Sequence, residues 1–208
     1  MTKLNASENR FRTLSNVVPR GKVYVISAPS GTGKTTVIKR IKEIHPEIRF
    51  SISAATRNPR GAEVSGKDYH FMSKTEFMKK VEADEFVEWE EVFGNLYGTL
   101  KSELVDTVIK GEDVILEIDV KGALNIKKQF PESVLIFLQP PSIEELIARL
   151  TGRNTEKPEE LERRIARAEL EFSFSDKFDH CVINNDLDAC VNEVLLLISK
   201  PKTFGGNL

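Results

Sequence analysis

The sequence predicts an α/β fold, in which one parallel core sheet of five strands carries helices on both faces and a smaller β-rich region is set into it. Three observations carry this expectation. Short apolar, β-branched runs alternate with helical patterns along the 208 residues, as in strands buried on both faces of a parallel sheet. A glycine-rich turn, SAPSGTGKTT at 27–36, stands between the first strand and the first helix, where such folds place an anion site. The length suits one substantial domain with room for a lid or an inserted region.

Taken in order, KVYVIS (22–27) is a strand that ends at the glycine-rich turn. KTTVIKRIKEIHP follows as a helix, with Val37, Ile38, Ile41 and Ile44 at helical spacing and Pro46 as its stop. FSISA (50–54) reads as the second strand, and TRNPRGAEVSGKDYHF, dense in Gly, Pro, Asn and charge, as loop. SKTEFMKKVEADE is a helix opened by a capping box of Ser73 and Glu76. FVEWEEV then alternates apolar and acidic residues as a half-exposed strand, and GNLYGT reads as a turn. The doubly wound pattern resumes with a helix near 101–110, the strand DVILEID (113–119) and a helix to about 130. It continues with the strand SVLIFLQ (133–139) and the helix SIEELIARL. NTEKPEELERRIARAELEF, after Arg153, is a long charged helix; CVINN (181–185) is a strand, and LDACVNEVLLLIS closes the fold as an amphipathic helix. These elements divide the domain at 21–200 into a core (21–52, 101–150 and 175–200), a β-rich region (53–100) and a helical lid (151–174). Residues 1–20 are expected to form a flexible extension and 201–208 a tail.

Composition excludes several classes of partner. Thirty Lys and Arg against 32 Asp and Glu give a net charge of −2, so no global basic field draws nucleic acid or an anionic membrane. The two cysteines, Cys181 and Cys190, make neither a disulfide framework nor a C-x-x-C pair, and suit reduced thiols in the cytoplasm. No apolar run is long enough to span a bilayer, and the first twenty residues lack the continuous apolar stretch of a secretory signal. Oligomeric state is left open.

The turn carries the chemistry. The pattern G-x-x-x-x-G-K-[ST] is met at Gly33, Lys34 and Thr35, with Ala28 in place of the first glycine. In such a loop successive backbone N–H groups surround a β-phosphate at the positive end of the following helix. Ala28, Pro29, Ser30, Gly31, Thr32 and Gly33 would form the wrap, Lys34 would reach the β- and γ-phosphates, and Thr35 would offer its hydroxyl to Mg²⁺. Alanine is the smallest departure from glycine, so the loop reads as an intact nucleoside triphosphate site. Glu117 and Asp119 end the buried strand DVILEID, at the edge where ligands collect in open α/β sheets. Either carboxylate organises Mg²⁺ through water or touches an acceptor, while Asp119 also suits a helix cap. A loop of this kind serves hydrolysis or transfer to a second substrate.

Four further stretches, SISAATRNPR, EVSGKDYHF, FVEW and GNLYGT, follow the loop in order. With it they resemble the guanylate kinase family from about Gly21 to Ile198. The resemblance implies the P-loop nucleoside monophosphate kinase fold, with a GMP-binding region and a helical lid. It also implies Mg²⁺-dependent phosphoryl transfer from ATP to GMP, giving ADP and GDP, in purine nucleotide metabolism; use of dGMP is left open. By the same resemblance Arg57, Arg60, Tyr69 and Tyr97 hold the GMP phosphate, a task that suits guanidinium forks. Glu88 reads guanine by accepting from N1–H and N2–H₂, Ser53 and Thr99 supply hydroxyls to the base edge, and Asp119 stands on the GMP side. Lys34, Arg149, Arg153 and Arg164 bear the migrating charge, and Asn184 meets the adenine edge. Arg163 and Arg167 read instead as salt-bridged helix surface beside Glu160, Glu162 and Glu171. Lys121 departs from the glutamine expected after Asp119 and Val120. Two rival readings are a guanylate-kinase-like domain that binds phosphorylated partners without catalysis and a kinase for another base. Lys34 and Thr35, both present, argue against the first; Glu88, which would face the N1 acceptor of adenine, argues against the second.

Overall fold

In the computed structural model, which describes residues 21–151 and 158–198, the apolar runs become strands and the periodic stretches helices. In chain order these are β1 (Val23–Ser27), α1 (Lys34–Ile44), β2 (Arg49–Phe50), β3 (Ala54–Ala55), β4 (His70–Phe71), α2 (Lys74–Glu82), β5 (Phe86–Val92) and β6 (Asn95–Leu100). There follow α3 (Lys101–Ile109), β7 (Val114–Glu117), α4 (Val120–Gln129), β8 (Val134–Gln139), α5 (Ile143–Thr151), α6 (Pro158–Phe172), β9 (His180–Ile183) and α7 (Leu187–Ile198). The expected extension (1–20), the tail (201–208) and Arg153 lie outside the described residues. Among the described residues no helix is long and apolar enough to cross a membrane.

The core sheet has the order β2-β7-β1-β8-β9, with every neighbouring pair parallel. Side chains alternate across a strand, and here both faces are buried. Val23 and Val25 of β1 join Leu116, Leu135 and Phe137 in one core under α3 and α4. Tyr24 and Ile26 join Ile115, Ile136 and Val182 in the other, under α1 and α7. This two-sided burial is why the strands appear in the sequence as near-continuous apolar runs. Ile44, placed by spacing on the buried face of α1, is instead exposed at the last turn. The chain leaves β1 toward one side of the sheet and crosses from β7 to β8 on the other, so the carboxyl end of β1 is a switch point. The glycine-rich loop lies there.

Residues 53–100 build a second sheet, of order β4-β3-β6-β5, around Ala54, Phe77, Phe86, Leu96 and Leu100. Its helix α2 starts with the predicted capping box: Ser73 Oγ accepts from the Glu76 N–H, and Glu76 accepts from the Ser73 N–H. Such caps stabilise a helix by about 1 kcal/mol. Two expectations fail in this region. FSISA is not one strand but is divided: Phe50 belongs to the core sheet and Ala54 to the second, with Ser51 to Ser53 as the connection. GNLYGT is not a turn. The chain reverses at Phe93 and Gly94, whose φ values are 49° and 78°, and residues 95–100 return as β6 against β5. Gly98, a turn residue by composition, is required there because a Cβ would lie 2.8 Å from the Glu88 carbonyl oxygen.

Helices α5 and α6 pack through Leu146, Leu150, Leu161, Ile165 and Ala168. That contact seats α6 beside the glycine-rich loop.

Candidate functional site

Between the two sheets and α6 lies a cleft of about 990 Å³. One wall is the loop that follows β1. Gly31 and Gly33 adopt φ values of 93° and 95°, left-handed conformations in which a Cβ would strain the chain. The loop curls on itself through a hydrogen bond from the Thr32 N–H to the Pro29 carbonyl at 3.2 Å. Gly33 then begins α1, whose first N–H groups have no intrahelical acceptor. Ala28 is buried in the core beneath α1, and left-handed non-glycine backbone is confined, among the described residues, to Asp84 and Phe93. The first loop position therefore has room for a methyl group and needs no positive φ. Lys34 Nζ donates to the Ile118 carbonyl at 3.3 Å and lies 3.9 Å from the Glu117 carboxylate. Thr35, exposed, lines the same wall.

Glu88 faces the loop from the second sheet. It is 7 % exposed and accepts a hydrogen bond from Thr99 Oγ1 at 2.7 Å across the β5–β6 hairpin. Burial pushes its carboxyl up to about 7, the Asp119 charge adds to this, and the Thr99 hydroxyl opposes it. Its other oxygen lies against the start of α4, so close that a Cβ on Gly122 would be 2.7 Å away. Ser53, Arg60, Tyr69 and Tyr97 line the cleft around this carboxylate. Arg57 lies behind them. Its guanidinium grips Glu63 with both terminal nitrogens, stands 4.7 Å over the Tyr69 ring and donates to the Asn58 carbonyl. The Glu63 bond drives the guanidinium pKa still higher. Burial, and next the Glu117 charge, raise the Tyr69 phenol.

Asp119 takes the helix-cap role that its position suggests and adds an ion pair. One oxygen caps α4 by accepting from the Gly122 N–H at 2.8 Å, and the other meets Arg167 at 3.2 Å on the cleft wall. Arg167 is thus no surface residue. It pairs with Glu171, as its i,i+4 spacing suggests, but on the side that faces the cleft, and its guanidinium stands 5.2 Å over the Phe93 ring. Arg163 lines the cleft too while staying exposed, so the surface reading is corrected for Arg167 and holds for Arg163. Buried Glu171 accepts from the Ser30 N–H at 3.2 Å, and Arg164 donates to Ser30 Oγ at 3.1 Å. Arg164, Arg167 and Glu171 share one helix face at i, i+3 and i+7, a signal legible only once the other face is known to pack on α5. Arg149 stands outside the cleft lining, where it donates to the Thr32 and Asn184 carbonyls from behind the loop. Asn184, buried, donates to the same Thr32 carbonyl. Lys121, at its departure from the expected glutamine, pairs with Glu90 at 3.0 Å.

The cleft therefore offers a polyphosphate cradle at one end, a desolvated carboxylate with a hydroxyl partner at the other, and arginines between. Comparison with known proteins points to one family. A family model described as guanylate kinase matches residues 20–200. A guanylate kinase of Gloeobacter violaceus is 46 % identical over 180 residues, covering 86 % of this chain and 88 % of that protein. One of Chlorobium luteolum is 47 % identical over 180 residues, covering 86 % and 91 %. Among solved structures, the guanylate kinase of Anaplasma phagocytophilum superposes with a TM-score of 0.73 at 33 % identity, covering 89 % of each chain.

Proposed function

The chain belongs to the guanylate kinase family and is a nucleotide-binding kinase of that kind, and from that premise we propose how its cleft moves a phosphoryl group from ATP to GMP. The observation that supports the reading is that one cleft joins the phosphate loop, with Lys34, to the buried Glu88–Thr99 pair. ATP places its β- and γ-phosphates in the loop, against the N–H groups that open α1 and the Lys34 ammonium. Guanine presents N1–H and N2–H₂ to Glu88, with Ser53 and Thr99 at the other base-edge atoms. Arg60, Tyr69 and Tyr97 receive the GMP phosphate. A guanidinium has five N–H donors, and Arg57 uses three contacts on Glu63 and Asn58, so it serves the phosphate while anchoring the loop of residues 56–69.

The nucleophile is an oxygen of the GMP phosphate, so no side chain forms a covalent intermediate. Catalysis is positioning together with cationic stabilisation of the equatorial oxygens. Lys34 and Arg164 supply that charge, joined by Arg153 of the lid, while Arg149 acts from behind the loop. The donor set suits Mg²⁺: the Thr35 hydroxyl and the Glu117 carboxylate are hard oxygens on the cleft wall, and Mg²⁺ keeps most of its water and takes one or two protein oxygens. When bound, the ion neutralises charge on the donor phosphates. The free thiols of Cys181 and Cys190 and the substrates support a place in the cytoplasm.

The test is ADP release measured with a coupled assay against GMP, dGMP, AMP and dTMP. GMP should be the preferred acceptor over AMP and dTMP by orders of magnitude; equal turnover of AMP or dTMP would remove Glu88 as the base reader.

A further inference from the structure

The Thr32–Gly33 peptide leads from the phosphate loop into α1. It joins Thr32, which follows Gly31, to Gly33; the two glycines have φ values of 93° and 95°, and glycine takes left- and right-handed backbone about equally. Yet its orientation matters to any anion in the loop. In a planar trans peptide the C=O and N–H bonds point in opposite directions, so the Thr32 carbonyl fixes where the Gly33 N–H points.

Two side chains hold that carbonyl from behind. Asn184 Nδ2 donates to it at 2.7 Å and Arg149 Nη1 at 3.3 Å. Asn184 is itself fixed on three sides. It is 8 % exposed, its N–H donates to the Gln139 carbonyl at 2.8 Å, and its own carbonyl accepts from both terminal nitrogens of Arg149 at 3.4 Å. Its amide lies so close to the loop that a Cβ on Gly33 would be 2.8 Å from Nδ2.

We propose that Asn184 is a positioning residue for phosphate binding, whose amide clamps the Thr32 carbonyl and so keeps the Gly33 N–H turned to the donor phosphates. Arg149 is the second jaw of the clamp. The inference rests on the reading of this loop as the ATP phosphate site, and it gives the side-chain amide a task separate from the adenine-edge contact that family resemblance implies. The two tasks have different ligand dependence. A base contact acts only on ligands that carry the base, whereas a clamp acts on any polyphosphate.

The experiment compares inorganic tripolyphosphate, ATP and GTP as ligands of the full chain by calorimetry, for the wild type, N184A and N184D. With the clamp lost, tripolyphosphate and ATP should weaken by the same factor, about tenfold for N184A, in the range of one buried hydrogen bond. N184D should lose more, because a carboxylate has no donor for the carbonyl. The ATP-to-GTP ratio and the KM for GMP should not move. Weakening of ATP alone, a shifted ATP-to-GTP ratio, or unchanged binding of both ligands overturns the clamp. If either variant fails to fold, the ¹⁵N resonance of Gly33 in the wild type decides: it should shift strongly on adding tripolyphosphate, and an unmoved resonance overturns the clamp. A chain that phosphorylates GMP while Gly33 stays silent loses the clamp and keeps the functional reading; a chain that phosphorylates no GMP loses that reading itself.

Discussion

Glu88 makes guanine binding depend on pH in a way that can be calculated. Burial holds its carboxyl near 7 in the free protein, against an ordinary value of 4.5. Guanine offers two donors and needs the ionised form, so binding at low pH must first expel a proton. With a pKa near 7, roughly ten of eleven molecules are protonated at pH 6 and one in eleven at pH 8. The affinity should therefore rise about tenfold over that interval and then level off. Guanosine is the ligand of choice, because the second ionisation of a phosphate monoester falls near pH 6 and would overlap. Calorimetry in buffers of different ionisation heat should show close to one proton released per guanosine at pH 6 and few at pH 8.5. E88Q should bind weakly with a flat profile. A flat wild-type profile, or an equal slope in E88Q, would refute the reasoning. Stability runs the opposite way. A carboxyl whose folded pKa is raised contributes stability that is fully present below about 4.5 and lost as pH rises through about 7, on the order of 3 kcal/mol in all. E88Q should accordingly raise the thermal midpoint at pH 8 and leave it unchanged at pH 4.

Three further outcomes follow from the same geometry. Lys34→Ala should abolish turnover, with GMP affinity by calorimetry unchanged, because Lys34 meets the loop end of the cleft alone. Arg57→Ala should lose stability as well as GMP affinity, and Arg60→Ala GMP affinity alone. The Arg57 side chain is 8 % exposed and paired with Glu63, so its loss should cost about 2 kcal/mol and lower the melting temperature by about 5 °C. Arg60→Ala should leave the melting temperature in place and raise the GMP KM about tenfold. In Gly31→Ala the new Cβ would meet Leu150 Cδ2 at 2.7 Å with φ at 93°, a backbone cost of about 1–2 kcal/mol; the ATP KM should rise about tenfold while the GMP KM holds.

The core sheet was legible because its central strands are buried on both faces, which leaves near-continuous apolar runs in the sequence. The loop was legible because its glycines, lysine and threonine fall between such a strand and a helix. The second sheet was less so. Its strands β3 and β4 are two residues each, too short for any periodicity to register, and Gly98 imitates a turn while serving a close crossing with Glu88. Arg167 was misread for a different reason. Helical spacing ties it to Glu171 whichever way the helix faces, and only the packing of Ile165 and Ala168 on α5 turns that pair inward. The task of Asn184 behind the loop had no sequence signal, since its partner is a backbone carbonyl 152 residues away.

The divided stretch FSISA has a mechanical meaning. The second sheet is joined to the core through Ser51 to Ser53 and through the junction of β6 with α3 at Leu100 and Lys101, and the pairing of Ala54 with Gly98 brings these joints together. Once the contacts of β5 with α4 are released, a body joined at two neighbouring points swings about the line through them. Glu88, paired with Thr99, sits almost on that pivot, whereas Phe93 rides the end of an arm of about 20 Å at strand rise. A swing of about 10° would carry the tip roughly 3.5 Å and break its contact with Arg167, yet leave Glu88 nearly in place. The proposed base reader stands at the fulcrum, and the far end of the lever touches α6.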